Sequence, residues 1–101
     1  MYQELVQLIL RVASEMNDMQ DAKIAVENGA SAPLYGRNGV LDSVGLVTFV
    51  VAVEEAIEDS LNVSIVLADE KAMSQTSSPF LTVESLARYA DKLVSEKTAN
   101  A

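Results

Sequence analysis

The residue with the clearest chemical potential is Ser43, in the segment Leu41-Asp42-Ser43-Val44-Gly45-Leu46. Asp is a strong helix N-cap. Leu46, Val50, Val53, Ile57 and Leu61 follow it at spacings of three or four, which at about 100° per residue form one core-facing stripe of a helix. Ser43 therefore falls in the first turn, where backbone N–H groups lack intrahelical acceptors and the helix dipole is positive. A phosphate ester on that hydroxyl would sit in a favourable field. Ser43 cannot act as a catalytic nucleophile by itself, because the chain has no His and no Lys lies near it in sequence. An Asp-Ser pair at a helix start is, taken alone, common capping chemistry, so its surroundings must carry the argument.

The rest of the 101-residue chain is notable for what it lacks. It contains no Cys, no His and no Trp. That excludes a disulfide framework, a thiolate nucleophile, thiolate metal sites and a Ser-His-Asp triad. The chain is accordingly expected not to be an enzyme and to hold no metal; any covalent chemistry must borrow its reactive group. The net charge is -8, and the segment 38–70, with seven acids and no Lys or Arg, accounts for all but one unit of it. Such a surface repels nucleic-acid phosphates and anionic lipid and attracts a basic partner. There is no signal-peptide pattern at Met1-Tyr2-Gln3-Glu4, and the longest unbroken apolar run, Phe49 to Val53, is too short to span a bilayer. A cytoplasmic address follows as the expectation.

The helical arithmetic that turns Leu46 and Val50 inward turns Val44, Val47, Val51, Glu54, Glu55 and Glu58 onto a contiguous outer sector. Valines interleaved with carboxylates have no folding rationale there. A row of exposed apolar residues rimmed by one sign of charge resembles a small docking site.

Other elements must position this helix. Leu5, Leu8, Ile9, Val12, Met16 and Met19 recur at helical spacing near the N-terminus. Beyond Asn17 the pattern weakens: residues 21–27 extend that helix or form a separate turn, and Asn28-Gly29 ends either. Residues 28–41 read as a long loop, with Arg37-Asn38-Gly39 a tight turn and Leu34, Tyr35, Val40 and Leu41 as apolar anchors. Val63 to Leu67 reads as an extended connector packed on the core. A short helix is expected from Asp69 through Lys71 to Met73, then a polar loop over Ser74 to Pro79. Thr82 caps a last helix whose stripe is Val83, Leu86, Ala90, Leu93 and Val94, and residues 95–101 are expected to fray. The whole, residues 1–101, is one all-α domain: a small four-helix bundle of three longer helices and one short one, with a long loop between helices 1 and 2.

On these residues the chain resembles the acyl and peptidyl carrier proteins. The likeness runs from Leu41 through Glu55, reading L-D-S-V-G-L-V-T-F-V-V-A-V-E-E, where that family has Asp-Ser, a branched apolar residue, one variable residue and Leu. It is supported by helix placement over almost the whole chain and by Thr82-Val83-x-x-Leu86. The resemblance implies that Ser43 receives 4′-phosphopantetheine, covalently, from coenzyme A through a phosphopantetheinyl transferase. It implies that acyl or aminoacyl groups are carried as thioesters on that arm, and that loading and processing enzymes with basic patches dock on the second long helix. By position Val44, Val51, Glu54 and Glu55 correspond to the family's recognition surface, with Val47 on the same ridge and Asp42 within reach of the transferase.

Two positions depart from the family pattern. Val44 stands where Leu is commoner, and Thr48 occupies a position that is acidic in many carriers of fatty-acid synthesis. The approach Gly39-Val40-Leu41-Asp42-Ser43 looks more like free-standing carriers of specialised biosynthesis. Beginning at Met1, the chain is expected to be a discrete, monomeric protein. The competing reading is a helical protein-interaction adaptor with no prosthetic group, using the Val44/Val47/Val51 ridge. A carboxylate enzyme built on Glu54 and Glu58 ranks lower, since the Glu-x-x-His elements of a di-metal bundle are missing.

Overall fold

Apolar residues at helical spacing become three α-helices: α1 (Tyr2–Asn17), α2 (Ser43–Leu61) and α3 (Val83–Ala99). They are seen in a computed structural model that describes residues 2–18, 23–35, 39–67 and 80–99. A short 3-10 helix, η1 (Val26–Ser31), lies between α1 and α2. The fold is the expected small helical bundle, and among the described residues there is no named strand. No described helix is long and apolar enough to cross a membrane.

The core is where the stripes meet. α1 packs against both α2 and α3, and η1 packs against α1 and α3. Leu5, Ile9, Leu46, Val50, Val53, Ile57, Leu86 and Ala90 are fully or almost fully buried in one apolar cluster. Phe49 and Phe80 are the largest side chains in it, both fully buried, and Phe80 meets Tyr89 edge-to-face at a centroid distance of 6.4 Å. No polar or charged side chain is buried among the described residues, so the core is held by apolar area alone. The stripe residues Met16, Leu61 and Leu93 are only half-buried at its margin.

The short helix expected late in the chain is not tested by the described residues. The expected helix at Asp69 to Met73 and the loop from Ser74 to Pro79 lie outside the described residues, as do Met19 and the first two residues of the Arg37-Asn38-Gly39 turn. The short helix described is η1, inside a stretch read mostly as loop. Asn28-Gly29 ends the first of two 3-10 turns: Gly29, with φ 60 and ψ -132, is non-helical, a conformation Gly adopts without steric cost, and a second turn runs on to Ser31.

α1 ends where its periodicity fades, and a side chain explains how the chain turns. The Asn17 amide Nδ2 donates to the carbonyl of Ile24 and its Oδ1 accepts from the Ile24 N–H, both at 2.8 Å. The Lys23 ammonium also donates to the Asn17 carbonyl, a cation on an orphan acceptor at the negative end of the helix. Together they seat Ile24, 1% exposed, in the core.

At the other end, α3 runs to Ala99, so residues 95–99 of the segment expected to fray continue the helix. Residues 95–99 contain no Gly or Pro to stop a helix, and Lys97 in the last turn suits the helix dipole. The start of α3 is capped as expected and reciprocally: Thr82 Oγ1 accepts from the Ser85 N–H at 3.1 Å, and Ser85 Oγ accepts from the Thr82 N–H at 3.0 Å. Ser85 fills the role that Glu or Gln has in a capping box.

Candidate functional site

Ser43 is the first helical residue of α2, and Asp42 is its N-cap. Asp42 has extended backbone dihedrals, φ -86 and ψ -178. Its Oδ1 accepts from the Gly45 N–H at 2.7 Å while its carbonyl accepts the first intrahelical bond, from Leu46, at 2.8 Å. The cap read from sequence is therefore formed, and the Asp42 side chain is exposed to solvent. The Ser43 side chain itself lies outside the described residues.

The approach to this helix start is fixed by backbone contacts that no local pattern announces. Leu34 stands between two other segments. Its N–H donates to the Leu81 carbonyl at 2.7 Å, and its carbonyl accepts from the Leu41 N–H at 3.0 Å. The Val83 N–H adds a bond to the Ala32 carbonyl at 3.0 Å. Isolated bridges result, antiparallel between Pro33 and Thr82 and parallel between Tyr35 and Leu41. Residues 32–35 thus strap the beginning of α2 to the beginning of α3. Leu34 and Leu41 are buried at 0% and 6% exposure, the anchors expected of them. Tyr35 is half-buried, while Val40 faces solvent instead.

Gly39 makes the strap possible. A Cβ built there would stand 2.5 Å from the Leu34 carbonyl oxygen and from the Tyr35 N and Cα. The glycine is required for a close backbone approach, which the reading of Arg37-Asn38-Gly39 as a turn did not foresee. The signal available in sequence was only the glycine itself, four residues before Ser43.

The outer face of α2 is largely as the wheel placed it. Val44 is 76% exposed, Val47 42% and Val51 40%, and Glu55 and Glu58 are exposed. Glu54 differs. It is half-buried, and its Oε2 accepts a hydrogen bond from the Leu67 N–H. That bond ties the extended connector 62–67 to the side of α2, with Ile65 and Leu67 turned into the core and Val66 outward. Glu54 is thus a structural tie at the edge of the exposed valine ridge. Asn62, with φ 56, closes α2 in the left-handed conformation.

Among the described residues no three acidic side chains converge closely enough to ligate a metal ion. The arrangement offers an exposed, capped helix start beside an apolar ridge with acids around it. No family model, no curated protein and no solved structure matches the chain.

Proposed function

We propose that this chain is an acyl or aminoacyl carrier protein, with Ser43 the attachment point of a 4′-phosphopantetheine arm delivered from coenzyme A by a phosphopantetheinyl transferase. The observation that carries the reading is Ser43 at the solvent-facing start of α2, directly after an exposed capping Asp42 and directly before a Val44 that is 76% exposed. The residues present fit the group. The first turn of α2 supplies N–H donors without intrahelical acceptors and the positive end of a helix dipole to a phosphodiester at residue 43. Gly45 adds no side chain to the approach. The arm's terminal thiol would supply the thioester-forming sulfur that a chain without cysteine lacks.

In this reading the chain's own residues do two things. Asp42 and the strap through Leu34 hold the attachment point in one place, so a transferase and then successive enzymes meet it in the same orientation. Val44, Val47, Val51 and Glu55 form the face on which those enzymes, with basic patches, dock; tethering then makes each reaction effectively intramolecular. A cytoplasmic, monomeric carrier belongs to the same proposal.

The test is intact mass after incubation with coenzyme A and a broad-specificity transferase. A gain of one phosphopantetheinyl group, absent in Ser43→Ala, is expected. No gain, or a gain that survives Ser43→Ala, overturns the reading. The exposed Val44/Val47/Val51 ridge also favours a second reading, a helical adaptor without a prosthetic group. That one predicts partner binding indifferent to Ser43→Ala and lost on Val51→Glu.

A further inference from the structure

The connector after α2 has the marks of a strand without a partner. Exposure alternates along it, with Ser64 and Val66 outward and Ile65 and Leu67 buried, the two-residue period of an extended chain. Residues 62–67 read N-V-S-I-V-L, rich in β-branched residues and free of charge, Pro and Gly. Among the described residues, the backbone of Val63, Ser64, Ile65 and Val66 makes no hydrogen bond. One edge of the connector is taken, since the Leu67 N–H donates to Glu54 on α2. N–H groups alternate between the two edges of a strand, so those of Ser64 and Val66 turn to the other edge. A groove of about 210 Å³ lies between the connector and α3, lined by Ile65, Val66, Leu93, Glu96 and Lys97. Val66 stands beside it, 64% exposed. No Lys and no Pro within the segment blunts the free edge.

We propose that this edge pairs with the same edge of a second copy of the chain, antiparallel about a twofold axis at Ile65, so that Ser64 of each copy exchanges backbone hydrogen bonds with Val66 of the other. Three observations select a copy as the occupant. An uncharged, β-branched segment of six residues is the type that pairs with itself. The surface is also self-complementary: a twofold sets the two grooves face to face and gives Glu96 of each copy a Lys97 to meet, whereas a partner of uniform charge satisfies one and repels the other. Finally, the net charge of -8 opposes a second copy elsewhere, but at this groove one acid and one base cancel. With the opposite edge tied to α2, the assembly closes at two. Four residues of strand and one groove fall short of the about 1,200 Å² at which standard interfaces begin, so the association is weak and the monomer prevails in dilute solution. Ser43 stays clear of the contact: it begins α2, and the edge follows the end of that 19-residue helix, about 28 Å away along its axis. The inference goes beyond the carrier reading and stands without it.

Sedimentation velocity of the full chain from about 20 µM to about 2 mM reads the association. The weight-average mass is expected to rise toward that of a dimer and not beyond it. Over the same range, solvent exchange of the Ser64 and Val66 amides should slow about threefold while that of Ile65 stays unchanged, an alternation that strand pairing imposes. Val66→Asp, which sets like charges beside the axis, and Ser64→Pro, which removes a paired N–H, should each keep the protein monomeric with its helical circular dichroism retained. Lys97→Glu should weaken the pair, and adding Glu96→Lys should restore it, because the double variant has the parent's net charge and again offers each acid a base. A chain that is monomeric at every concentration, association indifferent to Val66→Asp and Ser64→Pro, or uniform slowing of all connector amides would each overturn the proposal. In the first case, binding of a synthetic N-V-S-I-V-L peptide would reassign the edge to a foreign extended segment.

Discussion

Replacing Gly39 by Ala tests whether the strap, and not the helix alone, holds the start of α2. The added Cβ would stand 2.5 Å from three backbone atoms of Leu34 and Tyr35, where ordinary contact begins near 3.4 Å. Backbone on both sides must therefore separate by about 0.9 Å, the difference between those two distances. The bond closest to the clash is the one from Leu41 N–H to the Leu34 carbonyl, now 3.0 Å long; lengthened by that amount it is no longer a hydrogen bond. Losing it costs about 1 kcal/mol, and forcing an extra methyl into a packed site costs about 1–3 kcal/mol. Restricting the unfolded chain returns about 0.4–1 kcal/mol. The net expectation is a loss of about 2 kcal/mol, read in a thermal melt as a fall of roughly 8–16 °C for a domain of this size. Gly45 and Gly29 are the controls. At Gly45 a Cβ would press only on the Asp42 carboxylate oxygen, at 3.1 Å, and alanine is the better helix former by about 1 kcal/mol, so Gly45→Ala should be neutral or stabilising. At Gly29 nothing lies within 4 Å, yet φ is +60, so Gly29→Ala should cost about 1 kcal/mol through backbone strain alone. A Gly39→Ala protein that melts at or above the parent would refute the claim that this approach is sterically closed.

The Asn17→Ala variant removes both bonds to the backbone of Ile24 and should cost about 2 kcal/mol in a denaturant melt; an unchanged midpoint would mean that Ile24 holds its place by burial alone. Glu54→Ala leaves the Leu67 N–H without its carboxylate, at a cost of about 1–2 kcal/mol and with faster exchange of that amide, whereas Glu54→Gln keeps an acceptor and should lose less; identical losses would refute the tie. Asp42→Ala should cost about 1 kcal/mol through the missing cap, while Ser43→Ala should stay within about 0.5 kcal/mol of the parent. A reversed order in paired thermal melts would show that Asp42 is not the residue stabilising the helix start.

The helices were legible because their information is local. Leu46, Val50, Val53 and Ile57 at spacings of three and four are all 1% exposed or less, and the caps at Asp42 and Thr82 are built from residues within three positions of each other. The outer ridge follows from the same arithmetic. What escaped the pattern is contact between segments distant in sequence. Glu54 lies on the exposed sector by its angle, but residue 67 returns to meet it. Asn17 reads as the end of a stripe, yet its amide imitates a strand partner for Ile24. The bonds from Leu34 to Leu81 and Leu41 carry no periodic signal, and Gly39 shows only that something comes close, not what.

These non-local contacts bear on function because they separate what folds the protein from what it displays. The inner stripe of α2, with Phe49, is buried completely enough to secure the helix, and the strap and the Glu54 tie fix its position at one end and along one side. Nothing in the fold then requires Val44. At 76% exposed it buries little, and a β-branched residue is a weaker helix former than alanine by a few tenths of a kcal/mol. Val44→Ala should therefore leave the melting temperature where it is, or raise it slightly. If the valine serves docking beside Ser43, the same substitution should raise the apparent KM for transfer of the phosphopantetheinyl group while leaving kcat near the parent value, since it removes contact area and no reacting atom. A fall in stability together with an unchanged KM would reverse the assignment and make Val44 a residue of the fold, and the ridge would lose its most exposed member as evidence of a binding face.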